Sequence, residues 1–240
     1  MRLFAIGDLH LPGGADKPMN VFGPQWDRHT ERIAEAWRMA VTGEDTVLIP
    51  GDISWAMQLS EAEPDLQWIG SLPGRKVLIR GNHDYWWNSV TRVRSVLPAG
   101  MTALQHDACD LGECVVCGTR GWLFPSGEAP LSAADDKIYR RETERLRLAL
   151  EHARETAHGR PIITMLHFPP LSVSQRYSSF TELMEQYGVR LCVYGHLHGQ
   201  GIRSGFTGTQ RGVRYALVSC DSLDFKPRPL PTSEWDGPAV

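Results

Sequence analysis

The sequence predicts an α/β protein, and three observations predict it. Apolar strand-like runs alternate with segments of helical periodicity as three consecutive β-loop-α units before residue 98, the order that builds a parallel sheet with right-handed crossovers. Between residues 101 and 119 the pattern changes to short β-like runs broken at Asp110 and Gly112, which implies antiparallel strands and so a mixed sheet or a second sheet. Polar islands stand directly after five of the apolar runs, and strand ends are where a sheet gathers distant residues onto one rim.

In chain order, the first strand covers 3–6 and delivers Asp8-Leu9-His10. Glycine and proline mark 11–24 as a loop. Steps of three and four through Trp26, His29, Ile33, Trp37 and Ala40 predict a helix over 25–41 with its aromatics in the core. A strand over 46–50 leads to Gly51-Asp52, and a weaker helix over 65–72 ends in the Pro73-Gly74 turn. A strand over 76–80 leads to Gly81-Asn82-His83-Asp84, and a helix over 89–97 completes the third unit. Residues 120–136, with Gly121, Pro125, Gly127 and Pro130, form a long irregular stretch and the candidate substrate loop. The longest helix is predicted over 135–157, with Leu146, Leu150 and Ala153 on one stripe and its charges on a solvated face. A strand over 161–166 carries His167 at its end, and Phe168-Pro169-Pro170 follows as a loop. After a helix near 181–187, a strand over 191–194 leads to Gly195-His196-Leu197-His198, and 213–219 closes the sheet. Prolines from Phe225 onward predict a segment extended over the surface or frayed. The domain is therefore placed at 1–224 and a Pro-rich C-terminal tail at 225–240.

Composition narrows the function classes. At 240 residues, with 42% hydrophobic and 22% charged residues, the chain has the material for one sizeable core. A net charge of -3 and a pI near 6.3 carry no basic footprint, so stable nucleic-acid binding is not expected. Arg203, Arg211 and Arg214, near the last island, are read as solvated surface residues. No apolar run reaches the length of a spanning helix, and the run at residues 1–6 is too short for a signal peptide. A cytoplasmic protein with no membrane association is expected. Five cysteines give no disulfide framework; Cys192 and Cys220 read as buried hydrophobes, and Cys109, Cys114 and Cys117 lack a fourth zinc ligand, with Gly112 marking a hairpin turn between them.

The islands hold Asp, His and Asn, side chains that bind hard-to-borderline divalent metals. A single Gly-Asp carries no weight, whereas five islands in order, each after a strand-like run, mark a site. Taken together, Asp8-x-His10, Gly51-Asp52, Gly81-Asn82-His83-Asp84, His167 and Gly195-His196-x-His198 resemble the signature of calcineurin-like metallophosphoesterases, over residues 3 to about 220. The resemblance implies a four-layer α-β-β-α sandwich with two mixed β-sheets and a metal site at the strand C-terminal ends. It implies two divalent transition-metal ions, Mn²⁺, Fe or Zn²⁺: Asp8, His10 and His198 around the first, Asn82, His167 and His196 around the second, and Asp52 between them. Such imidazole-rich sets do not suit Ca²⁺, which takes oxygen ligands. His83 is implied as the catalytic residue, a general acid or a contact to phosphate. The reaction implied is hydrolysis of a small phosphomonoester or phosphodiester, since two ions about 3.5–4 Å apart lower the pKa of a shared water and clamp phosphate oxygens.

Several positions carry two readings. Asp84 either supports His83 or caps the turn; Arg120 either binds substrate phosphate through its guanidinium fork or anchors a loop. Trp55, Tyr85, Trp86 and Trp87 offer a flat wall for a nucleobase, with core packing expected for two of the four. His29, His106, His152 and His158 match no motif and are read as surface or core. The second island continues Ile53-Ser54-Trp55-Ala56-Met57, so Trp55 and Ala56 replace the Asp and Arg with which serine/threonine protein phosphatases follow it. No tyrosine lies between Asp52 and Tyr85, which disfavours a purple acid phosphatase. A non-catalytic interaction scaffold of the same fold and a nuclease of the same superfamily are the alternatives. The complete set of His83 and seven ligands favours the enzyme, and the missing basic channel disfavours the nuclease.

Overall fold

A computed structural model describes residues 1–14, 19–125 and 130–236. The first sheet contains β1 (Leu3–Ala5), β2 (Thr46–Ile49), β3 (Arg75–Leu78), β4 (Met101–Ala103) and β11 (Arg228–Pro229), in the order β11-β1-β2-β3-β4. β1 to β4 run parallel and β11 is antiparallel to β1. The second contains β5 (Ala108–Asp110), β6 (Val115–Thr119), β7 (Ile162–Leu166), β8 (Leu191–Tyr194), β9 (Gly208–Gln210) and β10 (Val213–Leu217), in the order β5-β6-β7-β8-β10-β9. Its outer strands β5 and β9 are antiparallel and the rest parallel.

Strand alternation divides the interior into three apolar layers, because each sheet is covered on both faces. Phe4, Val47, Ile49 and Leu78 pack against α1 (His29–Ala40), α2 (Leu59–Ser71) and α3 (Val90–Val96). Leu3, Ala5, Leu48 and Val77 turn the other way and meet Val116, Ile163, Met165 and Val193 of the second sheet. Val115, Cys117, Ile162 and Leu166 face α4 (Ala133–Ala157) and α5 (Ser179–Gln186). This is the expected four-layer α-β-β-α sandwich. The sheets join at the rim, where Gly7 bridges Ser219 beyond the ends of β1 and β10. Among the described residues no helix is long and apolar enough to cross a membrane.

Five expectations are corrected in detail. Within 101–119 only β5 and β6 pair antiparallel, whereas Met101–Ala103 joins the first sheet parallel to β3. The first helix does not begin at 25: residues 24–26 form a separate 3-10 turn, and Arg28, in the left-handed region at φ 49°, precedes α1. α2 starts at Leu59, not 65, because Gln58 and Glu61 form a reciprocal cap and Pro64 is accommodated inside the helix. The tail is neither loose nor purely superficial over 225–236. Leu230 N–H donates to Leu3 O at 2.8 Å, β11 extends the first sheet, and Phe225, Leu230 and Trp235 are buried. Prolines hid this, although an edge strand tolerates them. Finally, α4 buries one of its charges, Glu142, at 0% exposure. Of the predicted substrate loop, 126–129 lie outside the described residues and 133–136 already belong to α4, where Ser132 caps Asp135.

Candidate metal centre

The loops after β1 and β2 are laced together by their backbones. Asp8, His10 and Leu11 N–H groups donate to Gly51 O, Asp52 O and Ile53 O at 2.9–3.0 Å, and Trp55 N–H returns to Leu11 O at 2.9 Å. Two glycines are required by close approach: a Cβ on Gly81 would stand 2.2 Å from Asp52 N, and one on Gly195 would stand 2.2 Å from Asp8 Oδ2. Asp8, His10, Asp52 and His196 lie at φ 57°, 45°, 50° and 73°, a region that side chains other than glycine seldom adopt. Four such residues on one rim hold strain where a functional site is built.

The seven residues expected as ligands converge in two groups. In the first, His10 Nε2 and His198 Nε2 are 3.3 Å apart, and His198 Nε2 is 3.5 Å from Asp8 Oδ1. In the second, Asn82 Oδ1 lies 2.7 Å from His167 Nε2 and 2.9 Å from His196 Nδ1, and those two nitrogens are 3.3 Å apart. Asp52 Oδ2 stands between the groups, 3.8 Å from His10 Nε2 and 3.5 Å from His167 Nε2. Asp8, Asp52 and His167 also converge on one another.

These contacts fit a cation better than a hydrogen-bond network. His167 Nδ1 donates to Pro50 O at 3.0 Å, which fixes the tautomer and leaves a lone pair on Nε2. That lone pair faces the oxygens of Asn82 and Asp52. Acceptors crowded in this way repel unless a proton or a positive ion sits among them. Ligands at the usual metal distances of about 2.0–2.2 Å would stand roughly 2.9–3.4 Å from each other, close to the spacings found. Asp8 Oδ2 is buried and has no hydrogen-bond partner among the described residues.

Electrostatics point the same way. Burial raises the Asp8 carboxyl, but the hydrogen bond to His198 and the charges of His167, His198 and His10 outweigh it and hold Asp8 below the usual carboxylate range. Burial and the neighbouring Asp8 charge push Asp52 up to about 8. Burial lowers His10 and His167 and takes His196 down to about 3. Burial acts against His198 as well, yet bonds to Asp221 and Asp8 lift it to about 10. Without a cation, Asp52 and His198 therefore favour their protonated forms at neutral pH.

His83 sits at the edge of the cluster. Its N–H donates to Asp52 Oδ1 at 2.8 Å, and its ring centroid lies 4.7 Å from that of Trp55 and 5.9 Å from that of His10. Asp84 takes the turn-capping role. Its buried carboxylate accepts from Gly81, Ile53 and Ser54 N–H and from Trp86 Nε1 at 2.7–3.2 Å, clamping the second loop to the third. Trp86 and Trp87 are core, while Trp55 stacks on His10 at 4.8 Å and Tyr85 is exposed. Arg120 stands apart from the cluster: its guanidinium pairs with Glu142 at 3.6 Å and lies over Trp122, and its carbonyl accepts the N–H groups of His167 and Phe168.

Three supporting residues escaped the sequence reading. His29 Nε2 reaches the carbonyls of Leu9 and His10 at 3.2 and 3.3 Å, and Phe168 packs its ring 4.1 Å from His196. Asp221 accepts from His198 Nδ1 at 2.8 Å and from Gly199 N–H at 3.0 Å. It follows the strand 213–217 as a sixth polar island, and that position was the available signal. Because Asp221 turns the Nε2 lone pair of His198 toward His10, Asp221→Asn is expected to weaken metal binding by about 10–100-fold, read by competition with a fluorescent chelator.

Relatives place the chain. The sequence profile described as calcineurin-like phosphoesterase matches residues 1–200. The gene 66 protein of Mycobacterium phage L5 is 38% identical over 77 residues, a stretch covering 32% of this chain and 37% of that protein. Among solved structures, a phosphopantetheinyl hydrolase from Mycobacterium tuberculosis superposes with TM-score 0.59 at 17% identity, covering 95% of each chain. A protein of unknown function from Aquifex aeolicus does so with TM-score 0.52 at 16% identity, again over 95% of each. With a matching profile over most of its length, the expected motifs and the family's sandwich, this chain belongs to the calcineurin-like phosphoesterase family.

Proposed function

We propose that this protein is a dinuclear metal-dependent hydrolase of a small phosphomonoester or phosphodiester that carries a flat apolar group. The observation that carries the dinuclear reading is the place of Asp52 Oδ2, 3.8 Å from His10 Nε2 in one group and 3.5 Å from His167 Nε2 in the other. One carboxylate oxygen facing both groups is what fixing two ions at a set spacing requires. When bound, the two divalent ions supply a water of lowered pKa and neutralise charge on the phosphate oxygens.

The chain's own residues do the rest. Asp8, His10 and His198 would hold one ion and Asn82, His167 and His196 the other, with Asp52 available to both. The backbone bond from His83 to Asp52 Oδ1 sets the His83 ring beside the cluster, where it contacts the phosphate or gives a proton to the leaving oxygen. Beyond it opens a cleft of ≈ 350 Å³ lined by His10, His83 and His198 together with Phe22, Trp26 and Trp55. That aromatic wall supports a planar leaving group. The Mycobacterium tuberculosis neighbour, a hydrolase by name, is a precedent for hydrolysis on this fold.

Protein loaded with Mn²⁺ is expected to hydrolyse bis-p-nitrophenyl phosphate or p-nitrophenyl phosphate, and the ratio of the two rates selects diester or monoester substrates. Turnover of neither ester by fully loaded protein would sink the proposal. Phe22, 62% exposed on the cleft wall, is a specificity element: Phe22→Ala is expected to raise KM for a nucleobase-bearing ester by about 5–30-fold, or 1–2 kcal/mol of stacking. Its kcat stays near wild type, because Phe22 touches no reacting atom. Steady-state kinetics on base-bearing and base-free esters check this.

A further inference from the structure

The rim carries a second polar cleft that no step above uses. Its volume of ≈ 190 Å³ is several times the roughly 30 Å³ share of one water molecule. Arg80, Arg120, Arg141 and Arg145 line it around a single carboxylate, Glu142. Glu142 Oε2 accepts from Thr119 Oγ1 at 2.7 Å, and Oε1 is shared by Arg145 at 2.8 Å, Arg141 at 3.5 Å and Arg120 at 3.6 Å. One oxygen cannot satisfy three guanidinium forks, each with five donors. Arg80 gives its Nε to the Asp84 carbonyl at 3.2 Å, while both oxygens of the nearby Asp84 carboxylate are taken by the loop donors already named. Arg120 Nε is buried with no hydrogen-bond partner among the described residues.

Four cations against the carboxylates of Glu142 and Asp84 leave a surplus of positive charge. The surplus sits on Arg141 and Arg145, which reach solvent, and beside them Arg120 keeps its buried Nε unpartnered among the described residues, so the cleft presents more guanidinium donors than the protein's own acceptors satisfy. An anion with several oxygens resolves it, because guanidinium forks match tetrahedral oxyanions bidentately. We propose that this cleft is a binding site for a phosphate-class anion, separate from the metal centre. A run of three ring contacts links it to that centre. The Arg120 guanidinium lies over Trp122, Trp122 packs on Phe168, and Phe168 packs on His196. Two occupants share this chemistry: a second phosphoryl group of the substrate, and free inorganic phosphate.

The test is a calorimetric titration of Mn²⁺-loaded full-length protein with inorganic phosphate. Arg141 and Arg145 reach solvent, at 51% and 34% side-chain exposure, so the double variant Arg141→Gln/Arg145→Gln is expected to fold and keep its metal. It should bind one equivalent of phosphate fewer than wild type, or bind that equivalent at least tenfold more weakly. Glu142→Gln keeps every guanidinium and removes the opposing charge, so it should tighten the same event severalfold. The same number of phosphates bound with unchanged affinity in the double variant overturns the site. Kinetics then identify the occupant. A KM raised in the double variant only for an ester with a second phosphoryl group points to the substrate; a phosphate effect on rate seen in wild type and lost in the variant points to free phosphate. The binding titration does not need turnover, so failure of this site and failure of the hydrolase reading are distinguishable.

Discussion

Asp52→Asn is expected to lower kcat/KM by about 10³-fold or more, equivalent to roughly 4 kcal/mol of transition-state stabilisation, while making the metal-free protein more stable at neutral pH. Both effects follow from one position. Asp52 faces both ligand groups through Oδ2 and holds the His83 backbone through Oδ1. An amide keeps the shape and can still accept from His83 N–H, so the loop stays in place. It lacks the negative charge that two cations need between them. In the metal-free fold that charge is a liability, because burial and Asp8 push the Asp52 carboxyl up to about 8, and a neutral amide relieves it. Kinetics with a metal analysis check the first effect, and thermal unfolding in chelator checks the second. Wild-type turnover by the variant would remove Asp52 from the centre of the mechanism.

The second large effect is a pH-dependent stabilisation by metal. Asp52, raised to about 8, and His198, raised to about 10, bind protons more tightly in the metal-free fold than in the unfolded chain. For both groups the sign is the same. The stabilisation is complete below the unfolded values, about 3.9 for Asp and 6.5 for His, and is lost as pH rises toward 8 and 10. A bound cation takes the place of those protons, so metal binding releases them and strengthens as pH rises. Displacing one to two protons raises the apparent affinity by about 10²–10⁴ between pH 6 and pH 8, or roughly 2.7–5.5 kcal/mol. The rise in Tm caused by Mn²⁺ should therefore grow by at least about 5 °C over that interval. Differential scanning fluorimetry across pH, with and without chelator, measures it. A constant metal-induced shift would contradict the proton-for-metal exchange.

Most of the layout was legible in the sequence because the signals were local. The runs that become β1, β2, β3, β7 and β8 each lead into a polar island, and the family resemblance supplied the sandwich that alternation then builds from Leu3, Phe4 and Ala5 or Val47 and Leu48. The seven clustered side chains were legible for the same reason, since each follows a strand end. What stayed hidden was set by tertiary context. The prolines after 225 read as an extended or frayed tail, yet they border an edge strand anchored by Phe225, Leu230 and Trp235, and the helix predicted from 65 begins at Leu59 with Pro64 inside it. Asp221 belongs to no motif in the signature and is recognised only by the imidazole it holds. Glu142 reads as one charge of a solvated helix face, and only the packing of α4 on β6, with Thr119 beneath it, shows that it is buried among arginines.

The most direct test of the dinuclear centre is a titration of metal-free protein with Mn²⁺, following bound metal and hydrolysis of a chromogenic phosphate ester together. Two equivalents should bind, and turnover should rise with the second equivalent and then level off. Full turnover at one equivalent, or none with two bound, would contradict the account, the latter favouring a metal-bearing scaffold over an enzyme.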